Sequence, residues 1–393
     1  MTLKQKCPNC GASGMTSFYK IDKVPVHSCL MVSSEKEARD FPTGNIDLGF
    51  CGSCGFVSNM AFDPTVQDYS PLYEDQQCFS PTFNAFARRL AGDLIRKYDL
   101  KNKDVVEIGC GKGDFLALIC EMGNNRGVGI DPSCVWERIS SPARDRITIV
   151  NDYYSERYSH YSGDMVICRH TLEHIYDTKQ FVQTVRNAVG DRAETIVFFE
   201  IPDVTIVLEN LVFWDVYYEH CSYFSPGSLA YLFRSCGFEV LDLYLDYDDQ
   251  YLLIDAKPVT STSEKRHPLE ENLEDAAERV KRFSSAVEGQ RERWTALVKN
   301  LSHSGTPPVI WGSGSKCVAF LTTLGVADDI GCVIDINPNR HGKFIAGVGK
   351  QIMAPGYLKS YEPKSIIVMN PVYRDEISEM VRSMDISAEI MTV

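Results

Sequence analysis

The segment 105–115, VVEIGCGKGDF, constrains this chain more than any other. An apolar, β-branched run gives way to Gly109, Gly111 and Gly113 before a helical pattern opens, so a buried strand turns tightly into a helix and its backbone stays open to a ligand. The next strand ends GVGIDP, with Asp131 twenty-four residues past Glu107, where a carboxylate can accept both hydroxyls of a ribose. An amphipathic helix pattern at 83–98 precedes the loop, and the apolar runs MVICR, TIVFFE and LLIDA follow it to about residue 257. Strands alternating with helices predict an α/β, doubly wound parallel sheet.

A chain of 393 residues has room for two or three such units. Residues 1–75, rich in cysteine, glycine and short β-type runs, read as a small separate module, and 76–257 carry the glycine loop. Residues 258–302 read as a linker, PVTSTSEKRHP, and one long helix whose apolar positions run in a single seam from Leu269 to Leu301. Such a seam packs along a neighbour or pairs two chains as a coiled coil. Residues 303–393 repeat the α/β pattern through VIWGSGS, GCVIDINP and SIIVMNP, a second Rossmann-like unit. Its loop lacks the third glycine of a dinucleotide fingerprint, Cys317 standing there, and Asp335 ends the next strand. A degenerate fold that contacts substrate or only packs is the expectation.

Lys and Arg number 40 against 53 Asp and Glu, a net charge of −13 without a basic patch, which argues against nucleic acid or an anionic membrane as partner. No apolar run approaches the ~18 residues of a membrane span. A soluble, cytoplasmic protein is expected, monomeric or weakly dimeric. Its 14 cysteines are then read by spacing rather than as disulfides. Cys7-x2-Cys10 and Cys51-x2-Cys54 match a four-thiolate zinc site with no open position, hence structural. His27 and Cys29 read as ordinary loop residues.

The segment FWDVYYEHCSYFSPGS packs Tyr217, Tyr218, Glu219, His220 and Tyr223 ahead of a helix start at Ser225-Pro226. A histidine beside a carboxylate and phenols suits proton abstraction, since imidazole is poised near neutral pH and an oxyanion needs donors. A structural histidine with a surface glutamate is the other reading.

The glycine loop fits a nicotinamide dinucleotide or S-adenosylmethionine (SAM). Its E-x-G-x-G-x-G form resembles the first motif of class I SAM-dependent methyltransferases, and DMVICRHTLEHI resembles their later motif. The resemblance implies a SAM site with Glu107, Gly109, Gly111 and Gly113 in the loop, Asp131 on the ribose, and Asp152 and Tyr153 near the adenine. His174 either touches the cofactor or serves the turn. The whole chain is similar to three-domain sugar C-methyltransferases, through CxxC…CxxC, EIGCGKGDF, LEHI, YYEHCSYFS and VIWGSGSK…VIDINPNRHGKFIAG. That family methylates C3 of a 4-keto nucleotide-linked deoxysugar. The resemblance implies Tyr217 and His220 as catalytic residues, Glu219 as a contact to the sugar, and a nucleotide sugar as substrate. Tyr218 departs from the pattern, which has a second histidine there, and so does the segment 69–81. An O- or N-methyltransferase of a related carbohydrate or natural product would need no enolate machinery. A non-catalytic module reading RNA or protein through its zinc knuckles fits poorly with the charge and the glycine loop.

Overall fold

The computed structural model describes residues 6–261 and 265–393. Part of the expected linker, 262–264, lies outside the described residues, as do residues 1–5 of the expected zinc module.

Three sheets organise the chain. The largest runs, from one edge to the other, Phe238–Asp246, Tyr251–Pro258, Ile196–Pro202, Met165–Arg169, Asp104–Ile108, Arg126–Ile130 and Ile147–Val150. Contrary to the all-parallel expectation, Tyr251–Pro258 is antiparallel to both neighbours. It follows its partner through a tight hairpin in which Tyr247, Asp248 and Asp249 all take positive φ, and no crossover helix intervenes to restore direction. Phe198, Phe199, Ile254 and Met165 are wholly buried, as strands covered by helices on both faces require. The helix Pro81–Lys97 seats Leu90, Ala91 and Leu94 against one face, with Ser80 as its N-cap and Pro81 in its first turn.

The C-terminal sheet is five-stranded and parallel, ordered Ile352–Met353, Cys332–Ile334, Val309–Trp311, Ser365–Val368 and Glu389–Thr392. The first sheet is antiparallel: Thr16–Pro25, Thr43–Phe50 and Val57–Asn59, completed by Ser222–Tyr223 from far along the chain. That short strand ties the YYEH segment to the cysteine-bearing region.

The long helix spans Leu273–His303, starting later than Leu269 because Asn272 caps it by accepting from the Asp275 N–H. Its seam is used within the chain. Phe283, wholly buried, meets Phe18 and Tyr19 of the first strand edge-on, and Trp294 meets Trp214 and Phe320. Leu273 and Leu297, at the margins of that seam, stay exposed.

Candidate active site

The carboxyl ends of the central strands open into a cavity of about 590 Å³, closed on the far side by the C-terminal sheet. Open α/β sheets bind ligands at this end of their strands.

Strand Asp104–Ile108 delivers the glycine loop. Gly109, Gly111 and Gly113 have φ of +68°, +53° and +92°. A Cβ on Gly109 would fall 1.9 Å from the Thr171 hydroxyl, so this glycine permits close packing of two strand ends. A Cβ on Gly111 would project into nearly open space, with only an Asp75 carboxylate oxygen at 4.0 Å. Gly111 therefore leaves a cradle beside the loop. Asp131 accepts from the Gly111 N–H at 2.9 Å and the Ser133 N–H at 2.7 Å, and burial lifts its pKa. Glu107 is buried at the strand end with one carboxylate oxygen unpartnered, and desolvation pushes it up to about 8. Tyr153 and His174 line the cavity as well.

Asp152 does not. Its carboxylate accepts from Arg157, Tyr158 and the Tyr153 N–H, local donors that hold it away from the cavity, so the expected place near adenine is corrected to a surface cluster.

On the opposite wall the Tyr217 hydroxyl lies 2.9 Å from His220 Nε2, with the two rings 4.1 Å apart. Burial, then the charges of His174, His170 and Lys316, hold His220 well below the ordinary histidine range, leaving a neutral imidazole with a lone pair. Burial keeps the Tyr217 phenol protonated. The His174 ring meets His220 edge-on at 4.9 Å, and its Nδ1 lies 3.1 Å from the Glu219 carbonyl, which can only accept. Nδ1 thus carries the hydrogen.

Glu219 is the second correction. It is almost wholly buried but absent from the cavity wall, because its carboxylate is spent on His27 Nδ1 at 3.0 Å, the Ser28 N–H at 2.9 Å and the Ser28 hydroxyl. The Asp68 N–H donates to His27 Nε2 at 2.6 Å, which fixes His27 as a neutral Nδ1–H donor. Glu219 positions the YYEH segment against the end of the first strand, and His27 is its anchor rather than a plain loop residue. Tyr218 also points elsewhere: its ring packs on Phe62 and its oxygen accepts from the Asp63 N–H.

The floor of the cavity holds a charge cluster without a sequence signal beyond the dipeptide Arg169-His170 at a strand end. Arg169 grips Glu200 through two bonds of 2.9 Å and lies over the Phe115 ring. His170, at φ +47°, contacts Glu200 at 2.8 Å and Glu173 at 3.5 Å. Burial would lower its pKa, but the two carboxylates outweigh it and hold His170 up at about 9, while burial of Glu200 is outweighed by Arg169 and His170, leaving it near 2. Sequence reasoning singled out neither Tyr69, whose hydroxyl lies 2.9 Å from His174 Nδ1, nor Tyr73; both belong to a strap, 68–80, that crosses the cavity mouth.

The C-terminal loop meets the same cavity through Gly312, Gly314 and Lys316. Asp335 accepts from the Ser313 N–H and hydroxyl and from the Asn337 N–H, and the Lys316 ammonium binds Asp215, two residues before Tyr217, at 2.6 Å.

The four cysteine sulfurs come together although the chain separates them. Cys7 and Cys54 are 3.8 Å apart, Cys10 and Cys51 3.6 Å, and all four lie within 4.8 Å of one another. A tetrahedron of ~2.3 Å Zn–S bonds has edges of about 3.8 Å, so the donor set is compatible with zinc.

Comparison with known proteins agrees with this geometry. A methyltransferase domain family matches residues 83–243, and a C-methyltransferase C-terminal domain family matches 257–389. The C-methyltransferase NovU of Streptomyces niveus is 27% identical over 307 residues, covering 74% of this chain and 72% of that protein. The chain is therefore a methyltransferase that carries a C-methyltransferase C-terminal domain. Among solved structures, the N,N-8-amino-8-demethyl-D-riboflavin dimethyltransferase of Streptomyces davawensis is 18% identical with a TM-score of 0.36, over 45% of this methyltransferase and 56% of that chain. A 1,6-didemethyltoxoflavin-N1-methyltransferase of Burkholderia thailandensis is 15% identical with a TM-score of 0.32, over 44% and 78%. The methyltransferase thus spans little more than half of the first of these structures. Among its described residues no helix is long and apolar enough to cross a membrane.

Proposed function

We propose that this methyltransferase adds a methyl group to C3 of a 4-keto, nucleotide-linked deoxysugar, working in the cytoplasm on a small-molecule substrate. The observation that carries the reading is the pair of half-buried Tyr217 and buried His220, uncharged and lining one cavity with the glycine loop. When bound, SAM supplies an electrophilic methyl. Gly109, Gly111 and Gly113 would give its methionine and ribose room, Asp131 would take ribose hydroxyls on its remaining lone pairs, and Glu107 and Tyr153 border the same space, Tyr153 toward the expected adenine. His174 acts on the sugar side instead, orienting Tyr69 and crowding His220.

A C–H beside a ketone is a weak acid, so base and oxyanion donor must act together. In the free protein the Tyr217 O–H donates to His220 Nε2. With substrate present the phenol would turn to the C4 oxygen, which would free Nε2 to take the C3 proton, and SAM held at the glycine loop would supply the methyl. His220 starts neutral because burial and neighbouring cations disfavour its charge, so the proton it gains is readily passed on. Glu219, through His27 and Ser28, holds both side chains at this register. Four thiolates at Cys7, Cys10, Cys51 and Cys54 hold a structural zinc, away from the chemistry. We take residues 1–75, 76–257, 258–302 and 303–393 as the working units.

The test is isotope exchange. Enzyme with the demethylated product of SAM and a 4-ketosugar nucleotide in D2O should wash deuterium into C3, and His220→Asn should abolish the exchange and slow methylation by ~10²–10⁴-fold. Absence of exchange in the wild type, with methyl transfer to oxygen or nitrogen, would overturn carbon methylation at C3.

A further inference from the structure

The strap 68–80 is fastened on every side except at Asp75. Glu74 binds Arg138 at 2.7 Å and Asn337 at 3.0 Å, and its carbonyl accepts from the buried Arg340 guanidinium. Gln76 donates to Asp114 at 2.9 Å, in the first turn of the helix that follows the glycine loop. Further along, Tyr373 donates to Gln77 at 2.9 Å and Ser80 to Glu376 at 2.6 Å. Both neighbours of Asp75 are therefore immobilised, and they present its carboxylate to the cavity above Gly111. No described side chain donates a hydrogen bond to that carboxylate or pairs with it as a cation. Lys112 is buried and its ammonium donates to the Ser133 carbonyl at 2.6 Å, so it reaches Asp75 through its charge and not through a hydrogen bond. Burial pushes Asp75 up to about 6, Lys112 pulls it down, and Asp131 and Glu74 push it further up. Solvent reaches Asp75 in the open cavity, so its carboxylate is accessible to a ligand, and the like charge of Asp131 favours a cationic one.

We propose that Asp75 is a cofactor-binding residue, a carboxylate that the strap holds over the glycine loop to receive the cationic end of SAM. This rests on the reading that SAM occupies that loop. SAM carries two positive centres, the α-ammonium and the sulfonium, and either would relieve the repulsion between Asp75 and Asp131. The strap thereby couples the cofactor to the C-terminal sheet, since Asn337 and Arg340 hold Glu74 one residue away.

Calorimetric titration of the full chain with SAM and with S-adenosylhomocysteine tests it. Asp75→Asn should weaken SAM binding roughly tenfold or more, the loss of one charge-assisted contact, and leave the melting temperature unchanged or slightly raised, because no protein partner is lost. Asp75→Glu should recover part of the affinity. A loss confined to SAM assigns the contact to the sulfonium, and an equal loss for both ligands assigns it to the α-ammonium; each supports the proposal. Asp75→Asn and Asp75→Ser binding SAM as tightly as wild type would overturn it. Wild-type protein that binds no SAM would overturn the cofactor reading itself.

Discussion

The two strand–loop–helix turns of this chain, at 108–114 and 311–315, share one hydrogen-bond plan and differ in charge. In each, a glycine N–H reaches the last residue of the next strand, Gly109 to Ile130 and Gly312 to Ile334. In each, the following aspartate accepts from the loop backbone. Asp335 gains more: the Ser313 hydroxyl at 2.6 Å and the Arg340 guanidinium at 3.9 Å. Asp131 has weaker counterparts, the Ser133 side chain and the charge of Lys112, and the Asp75 carboxylate opposes it. One acid has a guanidinium beside it, whereas the lysine of the other loop gives its hydrogen bond to the Ser133 carbonyl and serves two carboxylates. Equal backbone geometry thus leads to different roles, because a loop whose acid is already answered within the protein offers a cationic ligand little.

The contrast can be broken at four points. Arg340→Met should have the largest effect, about 3–5 kcal/mol of stability, because a buried cation is removed from Asp335 and the Glu74 carbonyl. Urea denaturation reads it, and a loss under 1 kcal/mol would mean the second loop does not depend on its cation. The charged floor of the first loop should show in pH dependence. His170 has a folded pKa raised to about 9, so its stabilisation is complete below the unfolded value near 6.5 and fades as pH rises through 9. The loss is a few kcal/mol at most, and His170→Asn should remove this alkaline limb from denaturation curves. Asp131→Asn should cost SAM affinity ~1.5–3 kcal/mol with little change in sugar-nucleotide binding, whereas Asp335→Asn should leave SAM affinity nearly intact; matching losses would erase the distinction. The smallest change belongs to Ser313→Ala, about 1 kcal/mol of stability for one hydroxyl, seen as a small shift in melting temperature.

What could be read from the sequence was local. The glycine loop, the paired CxxC turns and the YYEH segment advertise themselves by spacing, since each sets its chemistry within a few residues. The strap could not be read that way: Tyr69, Tyr73 and Asp75 stand out only because 68–80 crosses a cavity whose walls extend along the chain to His174, His220 and Trp311. Glu219 was misplaced for the same reason, its partners His27 and Ser28 lying at the other end of the chain. Asp152 failed in the opposite sense. The family resemblance implies an acid near the adenine, but donors one, five and six residues on hold its carboxylate first. The reversed strand Tyr251–Pro258 was hidden because a buried strand has the same apolar run in either direction.

The two-residue strand Ser222–Tyr223 also bears on how the protein can be assembled and dissected. Until it docks, Val57–Asn59 is an open sheet edge with unpaired backbone groups, so during synthesis the cysteine-bearing sheet waits for more than 160 further residues. A fragment ending near residue 75 would keep that edge bare and prone to self-association. Grafting this module onto another methyltransferase therefore calls for transplanting 222–223 with it, so the portable structural unit is larger than the segment that carries the thiolates.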